Sequence, residues 1–415
     1  MPVFITDLHL HSKYSRAVSR EMDLAHMSEW AKIKGIDVVG TTDFTHPLWF
    51  SEIKERLEPN ENGLLKLKDS KNDIFFLLST EISCIYTKNG KGRRVHIVIF
   101  APDINTVEKI NTQLSWSGNL KSDGRPILGM DAKEVARIAL EASAECLVIP
   151  AHIWTPWFSL FGSESGFDSF TECFEELSDR IYAVETGLSS DPAMNWRLAQ
   201  LDKKSILSFS DAHSPANLGR EATVFSLEKL TFNNISKAIK QVDRQNRIAY
   251  TIEFFPEEGK YHWDGHRNCN IRLSPKETLK NNGLCPVCGK RVTVGVSSRV
   301  EKLADRNENY KPENRPPFKS LVPLEQIIAE SLGVGVKTKG VEAEYANLIK
   351  KGGNEFKILM NLPIEEINKI TLFKVAEGIE RVRQKKLKIL PGYDGVFGTV
   401  KVFEEKESAG QAKLI

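Results

Sequence analysis

The sequence contains no apolar run near the ~18–20 residues that a membrane-spanning helix needs. Its opening residues, MPVFITDLHLHS, lack the basic and apolar segments of a secretory leader. Both absences lead to the expectation of a cytoplasmic protein with no membrane partner. Internal repeats and low-complexity segments are missing too, and with 41% hydrophobic and 27% charged residues the composition excludes a collagen or a disordered chain. No GxxxxGK[ST] stretch is present, so no loop of that kind can cradle ATP and no nucleotide cofactor is expected. Cysteine is scarce, at 6 in 415 residues. Three of these, Cys84, Cys146 and Cys173, lie apart in apolar contexts and read as small buried hydrophobes.

Net charge is also low, at +2, but it is unevenly divided. Residues 1–263 carry 30 Lys and Arg against 36 Asp and Glu, whereas residues 264–415 carry 27 against 19. An acidic part suited to metal cations is thus joined to a basic part suited to phosphates.

Short apolar runs such as VFITDLHLH, DVVGTTD, IFFLLSTEIS, VHIVIFA, CLVIPAHI, IYAVETG, SILSFSDAH and TVFSL alternate with helical patterns up to about Glu257. Strands alternating with helices predict parallel βαβ units, and seven or eight of them predict a closed or nearly closed α/β barrel. Functional residues of such a barrel belong at the C-terminal ends of its strands. The expected placement is Asp7, His9 and His11 ending the first strand, Asp43 and His46 after the second, and Glu81 ending the third. His96 begins the fourth run, His152 ends the fifth, Glu185 the sixth, and Asp211 with His213 the seventh. Burying so many titratable groups without partners would cost more than folding supplies, so a multinuclear metal site is the cheaper explanation. His9 and His11, at i and i+2 of a strand, point to the same side and can hold one ion.

A second cluster reads HWDGHRNC followed by CPVCGK. His266-x2-Cys269 and Cys285-x2-Cys288 form two ligand pairs, the pattern of a structural Cys3His zinc site. His262 is the alternative to His266, and the two-residue spacer favours His266. Residues 264–320 hold twelve Lys and Arg against six Asp and Glu, a surface suited to phosphate backbones; Arg267, Arg291 and Arg299 are candidate DNA contacts.

In its barrel motifs the sequence resembles the polymerase and histidinol phosphatase (PHP) superfamily. The matching pieces are Asp7-x-His9-x-His11, Asp43 through His46, Glu81 in STEIS, His96 in VHIVIF, His152 in PAHIW and Asp211-x-His213. The resemblance implies a distorted (β/α)7 barrel holding two or three Zn²⁺, Mn²⁺ or Mg²⁺ ions. It would put His9, His11, Glu81 and Asp211 on one ion and Glu81, His96 and His152 on a second, with His46 and His213 at a third. Many relatives carry a further ligand where this chain has Ala17, so the third ion is the open one. Asp7, Asp43 and Glu185 match less directly, and the expectation is that they accept hydrogen bonds from ligand histidines, direct ligation being the alternative. Glu81, Asp211, His9 and His11 are the expected catalytic set.

With YHWDGHRNC, CPVCGKRVTVGVSSRVEKLADR and RPPFKSLVPL added, the chain resembles the endonuclease Q family of DNA-repair nucleases. That resemblance implies nicking 5′ of deaminated bases (uracil, hypoxanthine, xanthine) and of abasic sites. The rival readings are a small-molecule phosphatase like the histidinol-phosphate members and a catalytically inactive DNA-binding PHP protein. The expected organisation is a barrel at 1–256, a zinc module at 257–318, a helical DNA-binding domain at 319–403 and a flexible tail at 404–415. Trp154, Trp157 and Phe158, beside His152, are candidates for stacking on an extruded base. The tail, with Gln411, Leu414 and Ile415, resembles a sliding-clamp docking peptide.

Overall fold

The computed structural model describes residues 1–404, so the tail sequence with its clamp-like residues lies outside the described part. Seven strands form a ring. They are β1 (Val3–Asp7), β2 (Val38–Gly40), β3 (Phe75–Lys88), β4 (Lys91–Ala101), β5 (Leu147–Pro150), β6 (Ala183–Glu185) and β7 (Ser205–Leu207). β1, β2 and β3 pair in parallel, as do β6 and β7. β5 meets β6 where the Ile153 N–H donates to the Glu185 carbonyl at 3.2 Å. The ring closes where Leu10 bridges Ala212 and the Asp211 N–H donates to the His9 carbonyl at 2.9 Å. Closure thus lies just past the C-terminal ends of β1 and β7, among the motif residues themselves.

The expected run of parallel units breaks between β3 and β4. Asn89 and Gly90, with φ of 53° and 72°, make a two-residue turn that matches strand twist and folds the chain back on itself. β3 and β4 are therefore antiparallel over eleven residue pairs, and β4 pairs antiparallel with β5. Glu81 and His96 consequently sit in mid-strand rather than at strand ends. Ser83 lies opposite His96, so Glu81, two residues before Ser83, shares a sheet face with that imidazole.

Outside the ring, β8 (Ala222–Ser226) pairs antiparallel with β1, β9 (Arg247–Glu253) follows antiparallel on β8, and β10 (Phe318–Ser320) adds in parallel. The expected boundary at 318/319 falls inside β10, so the chain returns to the barrel sheet before its C-terminal helices begin. One buried cluster joins Leu8, just past β1, and Val38, Leu77, Val98, Phe100, Ile149, Ala183 and Leu207 of the strands to Ile235 and Ile239 of the helix Phe232–Lys240. The helices Leu324–Leu332, Lys339–Gly352, Ile364–Ile370 and Phe373–Arg383 form the expected helical C-terminal region. It is tied to the barrel by an ion pair between Lys34 and Glu355 at 2.6 Å, both buried. No described helix is long and apolar enough to cross a membrane.

Candidate active site

The Glu81 carboxylate lies fully buried between two groups of histidines. Its Oε2 is 3.5 Å from His9 Nε2 and 3.2 Å from His11 Nε2, while Oε1 is 2.6 Å from His96 Nδ1 and 3.2 Å from His152 Nε2. Asp211 Oδ1 completes the first group at 3.0 Å from His11 Nε2. Ligand atoms of His9, His11 and Asp211 lie within 4.8 Å of one another, as do those of Glu81, His96 and His152. Among the described residues neither His46 nor His213 joins such a group. The His46 ring stacks on Tyr14 at 4.5 Å, and the His213 ring lies 4.7 Å from that of His11.

Three observations fit this cluster to cations. His9 Nε2, His11 Nε2 and Asp211 Oδ1 are buried without hydrogen-bond partners, which is costly unless something positive lies between them. Burial opposes charge on His9 and His11, yet the carboxylates of Glu185 and Glu81 around His9, and of Asp211, Asp43 and Glu81 around His11, raise both well above the usual histidine range. The cluster therefore calls for positive charge, which a cation can supply in place of protons. His96 is different, because burial lowers it to about 4, the neighbouring His152 and Arg125 add to that, and Glu81 offsets it only in part. A neutral imidazole at neutral pH offers a lone pair to a metal.

The other acidic residues orient this set. Both Glu185 oxygens accept from His9 Nδ1, at 2.9 and 3.0 Å, and Oε2 also accepts the His152 N–H at 2.9 Å. Asp43 Oδ1 lies 3.3 Å from His11 Nδ1, and its Oδ2 accepts from the Ser12 N–H and from the Ser12 and Ser15 hydroxyls. Asp7 does not follow the expectation. It accepts the N–H groups of Ser210 and Gly219 and so anchors the loop carrying Asp211, while burial raises its carboxyl to about 6. Asp43, His152 and Asp211 hold left-handed backbone, with φ of 45°, 30° and 47°. Such strain collects where surrounding structure imposes a functional geometry.

A cavity of about 380 Å³ opens beside His96, His152 and Asp211. Trp157, Phe158, Tyr261, His262 and Phe397 form its other walls, with the Trp157 and Tyr261 rings edge to face at 5.7 Å. A larger space of about 470 Å³, near Trp196, Arg247 and Arg315 at the starts of β7 and β9, contains none of the candidate ligands. Trp154 does not reach the cavity. Its side chain is fully buried, its ring tilted against that of Phe161 at 5.1 Å and its Nε1 donating to Asn195 Oδ1 at 2.8 Å, which corrects its assignment as a base contact.

The zinc-type cluster is local. Strands Asp264–His266 and Ile271–Leu273 form a hairpin whose turn carries Cys269, and Cys285 through Gly289 form a second knuckle. The three thiols and His266 gather within 4.8 Å, with His266 Nδ1 3.5 Å from Cys288 Sγ. Burial works against the Cys285 thiolate, but the backbone N–H groups of Cys288 and Val287 outweigh it and bring the thiol down to about 7. These donors suit a tetrahedral metal. His262 lies elsewhere, with Nε2 3.1 Å from Ser297 Oγ. Arg299 is no surface contact either. Its buried guanidinium donates to the Phe161 and Phe167 carbonyls and to Asp168, clamping the module to the barrel, whereas Arg267 and Arg291 are exposed.

Residues 323–386 match the MJ0043 C-terminal domain family. The chain is 38% identical over 260 residues to the uncharacterized protein MJ0043 of Methanocaldococcus jannaschii, a match covering 61% of this chain and 32% of that protein. The chain therefore spans about a third of that relative's length. The lesion-specific endonuclease PfuEndoQ from Pyrococcus furiosus superposes with a TM-score of 0.86 at 33% identity, over 100% of this chain and 98% of that one. The chain belongs to the endonuclease Q family. A second endonuclease Q structure, a complex with a 27-mer duplex substrate carrying an abasic lesion at the active site, superposes at 0.85 with 33% identity and 99% coverage of both chains.

Within this endonuclease Q fold, three site residues escaped the motif reading. Tyr261 and Phe397 reach the cavity from the zinc module and from the loop before the strand Thr399–Lys401, and Arg125 reaches Glu81 from a loop. No local spacing marks any of them; the Trp157, Tyr261 and Phe397 walls come from segments more than 100 residues apart.

Proposed function

We propose that this member of the endonuclease Q family cuts the phosphodiester 5′ of uracil, hypoxanthine, xanthine and abasic sites in DNA. Two divalent cations would be held by His9, His11, Asp211 and Glu81 and by Glu81, His96 and His152, and one zinc by His266, Cys269, Cys285 and Cys288. The observation that carries the reading is the buried Glu81 carboxylate, with one oxygen facing each histidine group, beside an aromatic cavity. When bound, a pair of such cations generates hydroxide at neutral pH and stabilises the attacking and leaving oxygens of phosphate hydrolysis.

The chain's own residues prepare that chemistry. Glu185 and Asp43 hold His9 and His11 with their Nε2 atoms toward Glu81. Trp157, Phe158, Tyr261 and Phe397 offer faces and edges to a base taken out of the stack. Deamination replaces an exocyclic amine donor with a carbonyl acceptor and puts an N–H on the neighbouring ring nitrogen. One donor and one acceptor can therefore accept all three deaminated bases, while cytosine and adenine meet donor with donor. The aromatic cavity and the basic, zinc-type module favour DNA over a small phosphate ester.

The test is incubation of the metal-loaded protein with labelled duplexes carrying one uracil, hypoxanthine or abasic site. Nicks 5′ of the lesion are expected, and Glu81→Ala or Asp211→Ala should abolish them while DNA binding persists. Both variants retaining more than about a tenth of the activity would remove this site from the mechanism.

A further inference from the structure

Among the described residues His46 and His213 join no third ligand group, and Arg125 places a positive charge directly beside Glu81. Nη1 of Arg125 donates to Glu81 Oε2 at 3.1 Å, the same oxygen that faces His9 and His11. The side chain is 29% exposed, so it is not sealed in the core as Glu81 is. The bond to Glu81 is its one side-chain hydrogen bond among the described residues, which leaves four N–H donors for a ligand.

The loop that delivers Arg125 is pinned on both sides. The Gly124 N–H donates to the Tyr14 carbonyl at 3.1 Å, and the Gly124 carbonyl accepts from Thr45 Oγ1 at 3.3 Å. The Arg125 N–H donates to Asp123 Oδ1 at 3.2 Å, and the Ser83 N–H donates to the Pro126 carbonyl at 3.0 Å. Ile127 and Leu128 then pair with Ser83 and Cys84 of β3, the strand that carries Glu81. A Cβ on Gly124 would stand 2.2 Å from Asp43 Oδ2 and 2.3 Å from Ser15 Oγ. The loop can pass this close to Asp43 only with glycine there, and the next residue is thereby aimed at the centre.

We propose that Arg125 is a catalytic residue that binds a non-bridging oxygen of the scissile phosphate, supplying as a fixed guanidinium the charge that a third cation would bring. The inference rests on the nuclease reading above. A phosphodiester is an anion whose equatorial oxygens gain charge as the bond breaks, and a planar guanidinium presents paired donors to such oxygens. Donors fixed in place before the reaction need no reorganisation when that charge develops. A lysine at this position has the charge without the fork.

A residue that only holds Glu81 in place would act through the metals, and this separates the two roles. The full chain, loaded with Mn²⁺, is compared with its Arg125→Lys and Arg125→Gln variants in four measurements: barrel-metal affinity, binding of inorganic phosphate by calorimetry, duplex binding, and nicking. The proposal expects Mn²⁺ affinity unchanged or tighter, since a cation leaves the side of Glu81. It expects phosphate affinity at least ~10-fold weaker in the Gln variant, and kcat/KM for nicking lower by about 10²–10³ with duplex affinity nearly unchanged. Lysine should restore only part of the loss. Mn²⁺ affinity falling in step with activity would make Arg125 a positioning residue for Glu81 and overturn the proposal, as would unchanged phosphate binding. If the wild-type chain nicks no lesion duplex, the nuclease reading fails, while the phosphate titration still decides whether Arg125 holds phosphate.

Discussion

Glu185 grips His9 through both carboxylate oxygens, at 2.9 and 3.0 Å from Nδ1, and holds its Nε2 toward Asp211 and Glu81. The relationship spans 176 residues and depends on β6 ending beside the closure of the ring. Replacing Glu185 with Gln keeps the shape but removes the charge that fixes the imidazole. Partners of this kind are worth roughly 10–100-fold in metal affinity. Barrel-metal affinity of the Glu185→Gln variant, measured against a competing chelator, should fall by that order while zinc-module content stays constant. Equal affinity in both proteins would show that His9 is oriented by packing alone.

The thiol cluster has so small a core, Leu273 and Val292 around Cys285, that apolar burial cannot hold it alone. Cys285→Ser should release one zinc per chain, lower the melting temperature, and weaken binding to damaged and undamaged duplexes alike. Metal analysis, thermal melting and a binding titration read the three effects. Loss of the zinc with both other values intact would separate this module from folding and from DNA affinity.

Glu253 gives a pH dependence of defined sign. Burial pushes its carboxyl up to about 8, although the Ser208 and Thr251 hydroxyls that donate to it pull the other way. A carboxyl whose folded value exceeds its unfolded value of about 4.5 binds its proton more tightly in the native state. Its contribution to stability is complete below about pH 4.5 and is lost as pH rises through about 8. Glu253→Gln keeps a neutral side chain at every pH. Its melting temperature should therefore exceed that of the wild type at pH 9, on the order of a few degrees, and converge with it near pH 5. Parallel curves across that range would mean that Glu253 is ionised in the folded protein.

Trp154 and Trp157 are three residues apart and should behave oppositely. Trp154→Ala leaves a cavity in the core and costs about 3–5 kcal/mol. Trp157, 38% exposed at the cavity wall, should cost little stability on substitution and instead narrow the ratio of nicking at damaged over undamaged sites. Thermal melting and the nicking ratio of the two single variants distinguish them. A Trp157→Ala protein with unchanged lesion preference would exclude its ring from recognition.

What the sequence determined alone were groupings set by a strand or knuckle within a few residues. His9 and His11 share a side because strand geometry repeats every two residues, and Cys285 and Cys288 meet because a tight turn brings a two-residue spacer together. The alternation of apolar runs with helical patterns fixed the α/β class for the same local reason. The Asn89-Gly90 turn is equally local, and it places Glu81 and His96 in mid-hairpin rather than at strand ends. Tertiary structure alone decided the rest. Trp154 and Trp157 are equivalent in sequence, and only the path of the loop over Asn195 and Phe161 buries one and exposes the other. Arg299 reads as a basic surface residue until the module docks and two barrel carbonyls take its guanidinium. Arg125 meets Glu81, 44 residues away, because a glycine lets its loop pass against Asp43. Such contacts depend on where separate segments cross, and the spacing of residues along one segment carries no information about the others.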